Sequence, residues 1–376
     1  MEKSKHTVCC LLPANRRLHV VFAAACIVVV LAVYLLANGY VPESIVRPYG
    51  NRMSLRKWMV ISDRQYKSTA RERVTDKFDL VGVMQETNTS KTAKGDSAGQ
   101  QASVQSNRKR VLKDVCRRHP ELTAPGVWKH TLRNLLVAEK NRIVYCIVPK
   151  VGCSNWKRLF MVLEGHRSSL NMSQVEIHFK NPMRTLLKMP SASRRHAMKN
   201  YRKFMYVRHP FVRLVSAYRN KMAGSRPFRQ GPNLKFIEVA RKIVRTYRKG
   251  VRPVDLTEEN LDVRWEEWIA YLTDPSRTDE FDAHWREMYK LCSPCVVQYN
   301  FIGHLETVET DSRYMFQLFG LSNVSYPSKS RPKVSSADMY DEYFANVSRR
   351  DLQRLWEIYK LDFELFGYAK PERLVD

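Results

Sequence analysis

The chain has 376 residues, 44% of them hydrophobic, enough to bury a large core and too many for a wholly disordered polymer. Lys and Arg number 64 against 37 Asp and Glu, a formal charge of +27. That balance excludes an acidic surface and points to polyanionic partners: nucleic acid, anionic membrane or acidic polysaccharide.

From the N-terminus, residues 1–19 carry Lys3, Lys5, Arg16 and Arg17 ahead of an uncharged, proline-free run from Val20 to Ala37. Extended to residue 40, the run can cross a hydrocarbon core of ~30 Å, and the preceding cations keep the short tail cytoplasmic. A cleaved signal peptide is the alternative. Its apolar region is normally shorter and ends at a small-x-small site, which Ala37-Asn38-Gly39 matches poorly. The expectation is an uncleaved signal anchor over 20–40, single-pass and type II, with the remainder lumenal. Sequons at Asn88, Asn171, Asn323 and Asn346 are the expected glycosylation sites; they fit a lumenal placement and argue against a nucleic-acid partner.

Residues 41–110 read as a largely disordered stem, because Gln85–Gln105 is rich in Ser, Thr, Gln and Gly and lacks periodicity. A folded domain is expected over 111–376. Arg142–Val148 is a short apolar run ending at Pro149, as in a buried strand. Ser154–Glu164 then places Trp156, Leu159, Phe160 and Leu163 on one helix face. A second buried strand, Phe204–Val207, runs into Arg208-His209-Pro210, and Pro210 suits the first turn of a helix to about Met222. Leu234–Lys249 is amphipathic, and Trp265–Leu272 and Leu352–Tyr359 read as helices. Strands alternating with helices predict an α/β fold, a parallel sheet flanked by helices.

Five cysteines fall in the lumenal part: Cys116, Cys146, Cys153, Cys292 and Cys295. An odd number leaves at least one free or paired between chains. Cys292-Ser293-Pro294-Cys295 has a metal or redox spacing, but no second pair accompanies it. A local disulfide is expected there rather than zinc, no metal is expected, and the other pairings stay open.

The segment with the clearest chemistry is Pro149-Lys150-Val151-Gly152-Cys153-Ser154-Asn155-Trp156-Lys157-Arg158, between a strand and a helix. Amides at a helix N-terminus point outward, the helix dipole adds positive charge, and a glycine permits close approach of an anion. A basic strand-to-helix turn is the plain alternative. The loop is not of Walker type, since Gly-Lys-Ser/Thr is absent, and no acidic residue near Val207 offers a magnesium ligand. A singly charged group such as a sulfuryl can be handled by lysines and backbone dipoles alone.

That loop, the block Arg208–Tyr218 (RHPFVRLVSAY), and the pieces His284-Trp285, Leu291–Cys295, Tyr299–Gly303 and Leu361–Phe363 resemble the Golgi carbohydrate sulfotransferases. The nearest group is that of the chondroitin/dermatan 4-O-sulfotransferases and the HNK-epitope glucuronyl 3-O enzyme. The resemblance implies the PAPS-dependent sulfotransferase fold, P-loop-like, and a Golgi-membrane location. It implies that Pro149, Lys150, Val151, Gly152, Cys153, Ser154 and Asn155 cradle the 5'-phosphosulfate of PAPS. Lys150 would stabilise charge on the bridging oxygen. The block Arg208, His209, Pro210, Phe211, Val212, Arg213, Leu214, Val215 and Ser216 would serve the 3'-phosphate, through Arg208 and Ser216 above all. A surface salt bridge for Arg208 and an ordinary helix serine at Ser216 are the plain alternatives. The chain departs from the family at His209, where members usually carry an acidic residue, and at Glu287, where many carry proline.

The acceptor hydroxyl needs a base. His284 is the first candidate, because imidazole titrates near lumenal pH; Asp282, Glu287 and His209 follow, and a satisfied structural histidine is the alternative. From Arg194 to Arg252 there are eighteen Lys or Arg and one acidic residue, Glu238, a charge run suited to a sulfated or uronic-acid polymer. The expected activity is PAPS-dependent sulfation of a glycan hydroxyl, the 4-O of GalNAc in chondroitin or dermatan ahead of glucuronyl 3-O. A non-catalytic acidic-glycan receptor and a lumenal kinase are the competing classes. Oligomeric state, including a homo-oligomer, is left open.

Overall fold

Four short apolar runs form one sheet, ordered β1 (Leu135–Ala138), β2 (Ile143–Cys146), β3 (Arg202–Val207) and β4 (Phe301–His304). The computed structural model describes residues 97–376 apart from 127–128, 225–234, 251–255, 257–260, 322–323, 328–334 and 376. The anchor expected over 20–40 and the sequons Asn88 and Asn323 lie outside the described residues. Among the described residues no helix is long and apolar enough to cross a membrane.

The sheet is mixed rather than parallel throughout. β1 pairs antiparallel with β2 in a hairpin, and only β2, β3 and β4 run parallel, with Ile143 opposite Arg202 and Phe204 opposite Phe301. The surrounding helices are α1 (Ser97–Arg118), α2 (Cys153–Leu163), α3 (Gln174–His178), α4 (Ser191–Asn200), α5 (Pro210–Lys221) and α6 (Lys235–Tyr247). After them come α7 (Trp265–Thr273), α8 (Met288–Cys292), α9 (Val308–Phe319), α10 (Tyr340–Ala345) and α11 (Arg349–Phe366). The α/β expectation holds, with helices flanking the sheet.

One core wraps the sheet, where Trp156 of α2 is fully buried with ring centroids 4.8–5.8 Å from Phe204, Tyr206 and Tyr145. Gly303 of β4 is required here, because a Cβ would collide with the Tyr206 ring. A second core joins α5, α6, α7 and α11 around Phe211, Trp268, Trp285 and Tyr359. The parallel run of β2, β3 and β4 brings the loops after all three strands to one edge of the sheet, where open α/β sheets bind ligands.

Two expectations are corrected. Residues 97–110 are helical rather than disordered, and the fold begins before residue 111. The first half of α1 docks through polar groups, whereas Leu112 and Val115 further along join the core: Gln105 is buried, donates Nε2–H to the Ile302 carbonyl at 2.9 Å and accepts the Ile302 amide at 3.2 Å. Its side-chain amide thereby stands in for a further strand at the β4 edge. Arg108 adds a bond to the same carbonyl and an ion pair of 2.8 Å with Asp311. The second correction concerns the cysteines. Cys292 and Cys295 do not pair with each other; the disulfides are Cys116–Cys295 and Cys146–Cys292, and Cys153 is free. The first ties the end of α1, and the second the end of β2, to the segment around α8.

Candidate active site

The β2–α2 loop is held from below rather than closed. Gly152 caps α2 in the left-handed region (φ 71°), and a side chain there would meet the Tyr326 hydroxyl. Lys150 also takes positive φ (70°), a conformation disfavoured for a residue with a Cβ. Asn155 and Trp156 turn inward onto the Gly152 carbonyl. Among the described residues, the amides of Val151, Gly152, Cys153 and Ser154 make no well-formed hydrogen bond to a carbonyl or side chain, the turn over 149–152 being only loosely closed. With α2 running behind them for 11 residues, these amides have the placement that suits an anion, at a helix N-terminus.

Lys150 sits over this turn with Nζ donating to Asn220 Oδ1 at 2.9 Å. Burial, together with the cations of Lys221, Arg208 and Arg213, lowers its pKa to about 8. The ammonium is thus charged at neutral pH but crowded by like charge, and an anion at these amides would relieve it. Arg208, at the end of β3, donates Nη1 to the Lys150 carbonyl at 3.3 Å, which places its guanidinium beside the loop.

On α5, Arg213, Ser216 and Asn220 follow at i, i+3 and i+7 and so share one face, the face that meets the loop. Arg213, however, is not a ligand group. It is fully buried, and its three nitrogens donate to the carbonyls of Pro149, Arg286 and Ala283 at 2.7–3.0 Å. It braces the loop against the His284 segment. Ser216 is half-buried on the loop-facing side.

Other members of the expected nucleotide block are structural as well. Phe211, Leu214 and Val215 are buried in the second core, so their side chains cannot reach a ligand, and Phe211 stacks on Phe344 at 5.1 Å. His209 lies among Phe211, Tyr340, Phe363 and Tyr368; its Nδ1 caps α5 by accepting the Val212 amide. Burial and Arg208 lower its pKa to about 4, so its ring is neutral. Pro210 opens α5, and the Val212 side chain is buried. Asn155 is also committed to protein: its Nδ2 reaches Tyr326 Oη and the Pro327 carbonyl, and its Oδ1 accepts from Arg158.

Facing the loop is His284. Its Nδ1 lies 2.6 Å from Asp282 Oδ1, and Asp282 Oδ2 accepts from Lys235 at 2.8 Å. Asp282 opposes ionisation by burial, but the hydrogen bonds from His284 and Lys235 outweigh this and hold the carboxyl well below its usual range. A carboxylate on Nδ1 fixes the proton there and leaves the Nε2 lone pair free, the arrangement of an oriented general base. Burial lowers the His284 pKa against the pull of Asp282, and the cations of Lys221 and Lys150 push it the same way. Of the rival bases, Glu287 is paired with Lys290, Asp282 serves His284, and His209 is a cap.

Two side chains that the sequence did not single out complete the site. Lys221, in the last turn of α5, lies over the Phe236 ring at 4.5 Å and acts electrostatically on Lys150, His178 and His284. His178, at the end of α3, touches Ser154. Lys221 had a faint signal, one helical turn past the Arg213–Tyr218 stretch. His178 had none, being a lone histidine in a polar segment.

The basic run is only partly open to solvent partners. Lys235, Lys242 and Arg248 pair with Asp282, Asp279 and Glu267, and Arg194 and Lys203 bond backbone carbonyls. Arg245 and Lys249 remain exposed beyond the α6 apolar face. Asn171 and Asn346 are exposed, as glycosylation requires. Among the described residues no group of three or more His, Cys, Asp or Glu is placed to hold a metal ion.

Residues 133–369 match the sulfotransferase family. Carbohydrate sulfotransferase 11 of Mus musculus is 37% identical over 276 residues, 71% of this chain and 76% of that protein. Carbohydrate sulfotransferase 14 of Danio rerio is 35% identical over 277 residues, 71% of this chain and 72% of that protein. For carbohydrate sulfotransferase 10 of Rattus norvegicus the figures are 33% over 295 residues, 73% and 79%. No solved structure matches the chain.

Proposed function

Because the chain belongs to the sulfotransferase family and is a carbohydrate O-sulfotransferase, we propose that it sulfates the 4-O position of GalNAc in chondroitin or dermatan, using PAPS. The observation that carries the reading is the convergence of open loop amides, Lys150 and the Asp282-oriented His284 on one edge of the sheet. The family implies PAPS as donor, which supplies an activated sulfuryl group when bound. The residues fit such a donor: unpartnered amides and a crowded lysine suit its anionic, sulfated end, and Arg208 suits a second phosphate.

In the reaction His284 Nε2 takes the acceptor hydroxyl proton while the acceptor oxygen bonds to sulfur. Asp282 stabilises the imidazolium that results. Lys150 meets the negative charge left on the phosphate oxygen as the old S–O bond breaks. Arg213 keeps the two halves in register by bonding the Pro149, Ala283 and Arg286 carbonyls. The choice of acceptor draws on the resemblance of the loop and the Arg208–Tyr218 block to the 4-O group, and on the exposed cations of α6. Anchorage by residues 20–40 and a lumenal domain in the Golgi complete the proposal, supported by the N-terminal apolar run and the exposed sequons.

The test is to incubate the protein with sulfur-35 PAPS and desulfated chondroitin, dermatan and heparan, then digest to disaccharides. Label on the GalNAc 4-position supports the assignment. Label on glucuronic acid at position 3, or on heparan alone, overturns it.

A further inference from the structure

One hydroxyl of the donor loop has its direction set from outside the loop. Ser154 Oγ lies 3.1 Å from His178 Nε2, and the other ring nitrogen, Nδ1, lies 3.5 Å from Lys157 Nζ. An ammonium can only donate, so Nδ1 holds the lone pair; in a neutral imidazole Nε2 then carries the hydrogen. The ring keeps an exposed edge, yet desolvation by its packed neighbours and then the cations of Lys157 and Lys221 lower its pKa to about 4, so it is neutral at pH 7. Nε2–H therefore donates to Ser154 Oγ, and the Ser154 O–H must find its own acceptor elsewhere. Ser154 is the second residue of α2, beside the unpartnered amides.

The placement of His178 is built in. Ser173 and Glu176 form a reciprocal capping box at the start of α3, and Ile177 is buried with Met161 and Met172. Arg158 of α2 bonds the Met172 carbonyl at 3.2 Å, tying this segment to the helix that carries Ser154.

We infer that His178 is a positioning residue that turns the Ser154 hydroxyl outward, as a hydrogen-bond donor to the sulfated end of the bound nucleotide, with Lys157 held alongside. The inference rests on the donor-loop reading above and gives the loop a partner from a separate helix.

Steady-state kinetics on the full chain test it, with H178A, H178Q, S154A and the H178A/S154A double variant. Gln presents an amide N–H near the position of the imidazole Nε2–H. The KM for PAPS should rise about tenfold in H178A and stay within about threefold of wild type in H178Q. The double variant should be no worse than S154A, because His178 acts only through that hydroxyl. Equal impairment of H178A and H178Q, additive losses in the double variant, or an H178A KM unchanged from wild type would each overturn the inference. If S154A raises KM while H178A does not, only the role of His178 falls. If S154A has no effect on KM, the donor-loop reading falls with it.

Discussion

His284 and Asp282 are joined by a 2.6 Å hydrogen bond at Nδ1, and this bond decides which imidazole nitrogen faces the donor loop. Replacing His284 by Ala should lower kcat by about 10²–10⁴-fold and leave the KM for PAPS unchanged. Asp282 raises the His284 pKa, whereas burial lowers it. D282N should therefore lower kcat and also move the acid limb of the kcat/KM profile to lower pH. A limb that stays in place would separate Asp282 from the base.

Lys150 carries a cost in stability that its proposed role explains. Its folded pKa of about 8 lies below the unfolded value of 10.5, so the unfolded chain binds the extra proton between those values. The buried charge costs stability at pH 7, and the cost disappears as pH rises through that window. K150M should be inactive yet melt a few degrees above wild type at pH 7, a gain of about 1–2 kcal/mol. That advantage should fade by pH 10.5. Melting curves at both pH values check it.

Arg208 and Arg213 should separate cleanly. R208A should raise the KM for PAPS by about 10–100-fold with a near-normal melting temperature. R213K cannot serve the three carbonyls that the guanidinium fork reaches. It should cost about 2–4 kcal/mol of stability, read by urea unfolding.

The polar contacts of α1 predict where the chain can be shortened. Removing residues 1–110 deletes Gln105 and Arg108 and exposes the Ile302 edge of β4. That form should be less stable than one starting at residue 97 by about 2–4 kcal/mol and prone to aggregate. Comparing the two by denaturation and light scattering checks it.

Acid should unfold the protein through its histidines. Burial lowers His209 to about 4 and His304 to about 3, both below the unfolded 6.5. The unfolded chain therefore binds protons first, and stability present above pH 6.5 is lost as pH falls through 4 and towards 3. H209N should flatten the upper part of that loss in a pH series of melts.

Where local signals were strong, the sequence was sufficient. The β2–α2 and β3–α5 units were legible because apolar runs end at Pro149 and Val207, with Gly152 and Pro210 marking the turns. The start of α1 was missed because Gln105 and Arg108 anchor it by hydrogen bonds to a strand edge, which leave no hydrophobic period; its apolar contacts, Leu112 and Val115, come only in the second half of the helix. The pairing of Cys116 with Cys295 and Cys146 with Cys292 spans 179 and 146 residues, beyond any local pattern. The motif around Arg208 was found, but not the division of labour within it. Only packing shows that Arg213 faces carbonyls and Phe211 faces the core.

The central claim is that the turn from Pro149 grips the sulfuryl donor, and label transfer by K150A tests it most directly. With sulfur-35 PAPS and desulfated chondroitin, K150A should transfer label about 10²–10³-fold more slowly than wild type while remaining folded. Transfer by a folded K150A at a rate close to wild type would contradict the account.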